Sequence, residues 1–135
     1  MYTIKTVKNQ DDIGYLTIKV AEETNDSVTL SYDDQKGNKG FVSGFDYFYA
    51  LSKIREKFIS EDMVLLCKGS MINVFPGGLQ SEQSKSEISY EEIDGNFVPV
   101  NIFDEIEKSE GKSLSCTYEM QKEERRKSIR KNRCH

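Results

Sequence analysis

The sequence predicts an α+β fold: a mainly antiparallel sheet of five to six strands, one central amphipathic helix packed on one face, and a basic C-terminal helix or tail. Three observations carry that expectation. Short runs in the first third alternate apolar and polar residues, the period of a strand with one buried face. Residues 43–59 instead repeat apolar side chains every three or four positions, the period of a helix. The last fourteen residues lose apolar periodicity and turn basic. A chain of 135 residues fits one compact domain and buries roughly two-thirds of its unfolded surface. The division expected is an α+β domain over 1–115 and a helical or disordered tail over 116–135.

In chain order, Tyr2, Ile4 and Thr6 mark a first strand, and 9–12 a polar turn. Leu16, Ile18 and Val20 would face the core, with Thr17 and Lys19 outward. Residues 22–26 are a turn signal, and Val28, Leu30 and Tyr32 form the partner run, so the two read as a β-hairpin. Residues 33–40, with two Asp, two Lys, Asn and two Gly, suit an exposed loop. The helix is expected to start near Ser43, with Asp46 three residues on in a capping box. Phe48, Leu51, Ile54 and Phe58, with Phe45, form its apolar stripe; Lys53, Arg55, Glu56 and Lys57 fall on other faces.

Residues 63–67 are almost continuously apolar and read as a strand buried on both faces, turned at 68–70 and paired with 71–75 at the centre of the sheet. Pro76, Gly77 and Gly78 end that strand. The Ser-, Gln- and Glu-rich 79–87 reads as an exposed loop. Ile88 and Tyr90 open a further strand, Asp94-Gly95 is a tight-hairpin signal, and 97–100 return. Ile102, Phe103 and Ile106 are late core residues. From 117 to 133, Tyr118, Met120 and Ile129 are too sparse for an apolar face, which predicts a solvated helix or a frayed tail.

Motifs of catalysis are hard to assemble. The single His is His135, the last residue, which leaves nothing to orient a Ser-His-Asp or Cys-His pair. Cys67, Cys116 and Cys134 lack metal-ligand spacing, and Cys67 sits in an apolar run as a buried free thiol. Gly37, Gly40 and Gly44 do not form a phosphate loop. The acids fall in predicted turns, where both members of a glycosidase pair would simply be ionised. No enzyme, no catalytic residue, no cofactor and no metal is therefore expected. With no signal peptide or apolar span in the sequence, a reduced cytoplasmic compartment is expected, with no membrane partner.

Charge is divided unevenly. Residues 1–121 carry 21 acids and 12 bases, a balance of −9; residues 122–135 carry two acids and seven bases, a balance of +5. An acidic body is not the footprint of a general nucleic-acid binder, so nucleic acid is not an expected partner. The alternative is a small regulatory or nucleic-acid-binding module acting through Arg125, Arg126, Lys127, Arg130, Lys131 and Arg133, a segment without interleaved stacking aromatics. A docking face for a basic partner would instead use the acids of the predicted turns: Asp33, Asp34, Glu61, Asp62, Glu91 and Glu92.

One resemblance adds to this reading. Leu65-Leu66-Cys67-Lys68-Gly69-Ser70, then Asn73-Val74-Phe75-Pro76-Gly77-Gly78-Leu79, then Val100-Asn101-Ile102-Phe103-Asp104 resemble a family of small bacterial immunity proteins. These accompany polymorphic toxins, including those of contact-dependent growth inhibition. The similarity covers about residues 43–107. It implies a non-enzymatic cytosolic protein that binds one cognate toxin domain, often a nuclease with a basic active site, and occludes it. The six acids above are the toxin-binding residues expected from their chemistry; none is carried over from the family.

Overall fold

The computed structural model describes residues 1–9, 12–107 and 117–133. The protein is α+β, with eight strands among the described residues, divided between two sheets. β1 (Tyr2–Lys8), β2 (Asp12–Glu23), β3 (Val28–Asp33) and β4 (Lys39–Gly44) form an antiparallel meander. The chain then crosses one face as α1 (Tyr47–Ile59) and returns as β5 (Met63–Leu65) on the far side of β1. The first sheet thus has the order β4-β3-β2-β1-β5. β6 (Val74–Phe75), β7 (Ile88–Ile93) and β8 (Asn96–Asn101) make a second, three-stranded sheet. α2 (Gly78–Ser84) fills the β6–β7 connection, and α3 (Tyr118–Arg133) closes the described chain.

The core lies between the first sheet and α1. Leu16, Ile18, Val28 and Leu30 meet the stripe of Phe48, Leu51, Ile54 and Phe58, as the two periodicities predict. Ile102, Phe103 and Ile106 join the same cluster from behind, so both sheets share one core. Val20 departs from the expected pattern: a register shift between Val20 and Glu22 breaks the alternation, and its side chain is exposed.

The helix is capped three residues later than expected. Ser43 belongs to β4, where its hydroxyl lies 2.7 Å from that of Thr29 on the facing strand. Asp46 is the N-cap, extended at φ −151°, and its Oδ1 accepts the Tyr49 amide at 2.8 Å. Phe45, outside the helix, is exposed and packs edge-on against Tyr49. β4 itself was hidden in the sequence because two of its three inward positions are glycines, Gly40 and Gly44. Gly44 is required there: a Cβ would sit 2.8 Å from the Ala50 amide nitrogen, so only glycine lets the strand pass under α1.

The apolar run at 63–67 also behaves differently. It is an edge strand for three residues, paired with β1, and it does not pair with 71–75. A short 3-10 turn, Lys68–Ser70, follows instead, and 102–106 zip against it. Lys68 N donates to Asp104 O, Gly69 N to Ile102 O, and Ile106 N to Leu66 O. The 79–87 segment is not a loop but mostly α2. Two of its three serines are buried, Ser81 and Ser86, and the Ser81 hydroxyl accepts from Gly77 N and donates to Ile88 O. The Asp94-Gly95 hairpin stands as expected, with both residues at positive φ between paired Ile93 and Asn96.

Residues 118–133 are a helix, held by a stripe that is polar. Tyr118 stacks on Tyr49 with ring centroids 5.2 Å apart. Gln121, 2% exposed, donates from Nε2 to Gly69 O and Met71 O and accepts from Arg55 Nη2 at 2.6 Å. Arg125 Nη1 donates to Pro76 O at 2.6 Å. These positions, three and four residues apart, form one helix face. Arg55, expected off the apolar stripe of α1, is 2% exposed and belongs to this network. Cys116, Cys134 and His135 lie outside the described residues.

Candidate functional site

The alternation of strand directions brings three connections to one end of the first sheet: β1–β2, β3–β4 and α1–β5. Asn9 N donates to Asp62 O, which ties the first to the third. Glu61 and Ser60 face Gly37, Asn38 and Lys39 across a depression of about 350 Å³, which places the third beside the second. Four of the six acids expected from the sequence, Asp33, Asp34, Glu61 and Asp62, therefore share this end.

They do not share one role. Asp34 is buried, and its carboxylate builds the β3–β4 turn: Oδ1 accepts Lys36 N at 2.8 Å and Asn38 N at 3.0 Å, and Oδ2 accepts Asn38 Nδ2 at 2.8 Å. Burial pushes this carboxyl up, but those hydrogen bonds and the Lys36 charge outweigh it and hold it below the ordinary value. Asp33 is exposed at the end of β3, and among the described residues its carboxylate accepts only the Gln35 amide. Glu61 is exposed. Asp62 is exposed too and has φ +58°, a conformation that a short polar side chain tolerates where α1 turns into β5. Asp33, Glu61 and Asp62 thus point charge at solvent from a braced frame. Lys36, Lys39 and Lys57 are interleaved with them; Lys57 Nζ donates to the Tyr32 hydroxyl at 2.9 Å.

Glu91 and Glu92 lie elsewhere, on β7 of the second sheet, rather than in a turn. Glu91 is 7% exposed and pairs with Lys68 Nζ at 2.8 Å, which joins the 3-10 turn to the second sheet. Glu92 is half-buried and its amide donates to Asn73 O. Neither belongs to the surface that carries Asp33.

The outward face of the first sheet holds features that sequence reasoning passed over. Phe41, on β4, is 70% exposed, and Ile13 and Tyr15 on β2 are also exposed. Between Phe41 and Met1 lies a depression of about 740 Å³ lined by Thr17, Ser31, Asp33 and Lys39. Asp33 is therefore shared by the acidic end and this outward face. Strand parity places Phe41 outward once β4 is known, so the signal was lost with the strand.

Interior titratable groups are spent on structure. Cys67 is fully buried, with Sγ 3.5 Å from the Ser70 hydroxyl, and burial pushes its thiol up. The Tyr47 hydroxyl donates to Glu23 at 2.5 Å; burial and that carboxylate raise its pKa. Among the described residues, no group of three or more His, Cys, Asp or Glu could hold a metal ion, and no helix is long and apolar enough to cross a membrane. Compared with family models and with curated proteins, the chain matches none.

Proposed function

We propose that the protein is an immunity protein: it binds one cognate secreted toxin domain, of nuclease type, in the cytoplasm and neutralises it by occluding the active site. It acts by stoichiometric binding, without chemistry of its own. The observation that carries this reading is the convergence of Asp33, Glu61 and Asp62 on one end of a sheet whose β3–β4 turn is braced from within by Asp34. A preordered acidic rim meets a basic active site without a large ordering cost. The −9 balance of residues 1–121 steers a cationic partner toward it. The interleaved Lys36, Lys39 and Lys57 add a charge pattern that discriminates among partners, because a mismatched partner meets like charge. Asp34 and Glu91 are left out of the contact set, since their carboxylates already serve the fold.

The test begins with the neighbouring reading frame. If it encodes a large secreted toxin, its C-terminal domain should co-purify with this protein at about nanomolar affinity. Cells expressing that domain should survive only when this protein is present. Replacing Asp33, Glu61 and Asp62 together by Lys should slow association at least about tenfold at low salt, with a smaller effect at high salt. Failure of any neighbouring toxin domain to bind would sink the immunity reading. Unchanged association by the triple variant would sink only the acidic rim.

A further inference from the structure

We propose a second docking site: an anchor slot on the second sheet that receives one apolar side chain of a partner protein, next to a carboxylate that Arg125 binds. The slot lies where the β6–α2 corner, the outer face of β7 and β8, and α3 meet. Its walls are the rings of Phe75, Tyr90 and Phe97 and the backbone of Gly77 and Gly78. The register puts Phe75 opposite Tyr90, and Phe97 opposite Glu92, on one face of this sheet. Phe75 is buried beneath, whereas Phe97 is 44% exposed at the mouth.

Arg125 gives the slot its polarity. Its guanidinium lies across Gly77, where a Cβ would come 2.5 Å from Nη2, and the φ of +145° at Gly77 is a conformation that L side chains rarely adopt. Nη1 is fixed by Pro76 O, the only hydrogen-bond acceptor it has among the described residues. Arg125 is exposed and lines the edge of an aromatic pocket, with no second acceptor for its fork among the described residues. That is the arrangement by which arginine takes a carboxylate.

Size decides the occupant. A volume of about 220 Å³ fits a single Leu- or Phe-sized side chain, and it lies below the roughly 300–1,000 Å³ of small-ligand pockets. Strand addition along β8, an edge strand among the described residues, is disfavoured, because Pro99 removes a donor from its middle. The partner therefore presses a loop onto the face rather than adding a strand. This site is separate from the acidic rim, asks for the opposite charge on the partner, and does not depend on the partner being a toxin.

The experiment is an NMR titration of the full isotope-labelled chain with three blocked dipeptides and one small molecule. Acetyl-leucyl-aspartyl-amide should shift the amides of Gly77, Gly78 and Phe97 and the Arg125 guanidinium, saturating in the millimolar range. Acetyl-leucyl-asparaginyl-amide should bind about tenfold more weakly, the loss expected for one charge-assisted hydrogen bond. Acetyl-glycyl-aspartyl-amide should not bind measurably. Phe97→Ser should abolish the shifts while leaving the Gln121 side-chain amide signals in place, which shows that α3 is still seated. Equal binding of the aspartyl and asparaginyl peptides, or shifts confined to other surfaces, would overturn the proposal. So would phenylbutyrate binding more tightly than every peptide, which would mark a small-molecule pocket.

Discussion

Gln121 joins three backbone or side-chain partners that are otherwise distant in sequence, and it does so in a dry environment. Truncating it to Ala strands the Gly69 carbonyl, takes one of two donors from Met71 O, which keeps the Val74 amide, and removes the acceptor of one Arg55 N–H. Each buried orphan costs roughly 1–3 kcal/mol, with partial relief by relaxation. Gln121→Ala should therefore lose about 2–4 kcal/mol in urea unfolding. A loss under about 0.5 kcal/mol would mean that the clamp has no energetic role. Two carboxyls on the same chain should respond to pH with opposite sign. Asp34 is held below its ordinary value of 3.8, so its contribution is complete above that value and falls away as pH drops through the folded value. The amides of residues 35–38 should titrate with a midpoint below 3.8. Asp46 is raised, chiefly by burial, despite the amide it caps. Its contribution is complete below its ordinary value and declines as pH rises through the folded one, so at neutral pH the charge is a burden. Asp46→Asn keeps the cap and should raise the unfolding midpoint at pH 7, whereas Asp46→Ala should cost about 1 kcal/mol.

At the scale of elements, α1 and α3 are opposites. The α1 stripe is apolar, and its residues were readable from spacing alone; Leu51→Ala should cost about 2–5 kcal/mol, measured by the same unfolding assay. The α3 stripe is Tyr118, Gln121 and Arg125, which hydropathy reads as a solvated tail, because a hydrogen-bonded Gln carries no periodic signal. A chain ending before Thr117 should unfold at lower temperature and expose the amides near Gly69 and Met71 to hydrogen exchange. An unaltered melting temperature would return α3 to the status of an appendage. The same blindness hid β4, where glycines replace inward apolar residues, and α2, whose buried Ser81 hydrogen-bonds inside the fold. Where apolar periodicity was intact, as at Leu16, Ile18, Val28 and Leu30, the expected facing stands. Where close backbone approach or internal hydrogen bonds replace apolar contacts, composition points outward and the fold does the reverse.

At the scale of the whole molecule, both sheets feed one hydrophobic cluster, so a single cooperative unfolding transition is expected, with coincident fluorescence and circular-dichroism midpoints. The acids of the candidate site were legible as charges in turns, but their duties were not. The sequence places Asp33 beside Asp34 without showing that one faces solvent and the other builds the turn. It places Glu91 beside Glu92 without showing that Lys68 is waiting for one of them. Only the three-dimensional crossing of connections sorts contact charge from structural charge.

The strand order has a consequence in time. β1 leaves the ribosome first, yet it is an interior strand, flanked by β2 and β5. Its first partner follows at once, and hairpins close in roughly 1–10 μs. Its second partner arrives about twenty residues after β4 is complete, which at cellular synthesis rates is roughly 1–4 s. For that interval the nascent meander carries an open edge on β1 and an uncovered apolar face. Crowded polysomes would hold many such edges near one another, so the stretch of synthesis between Gly44 and Leu65 is when this chain most needs a chaperone.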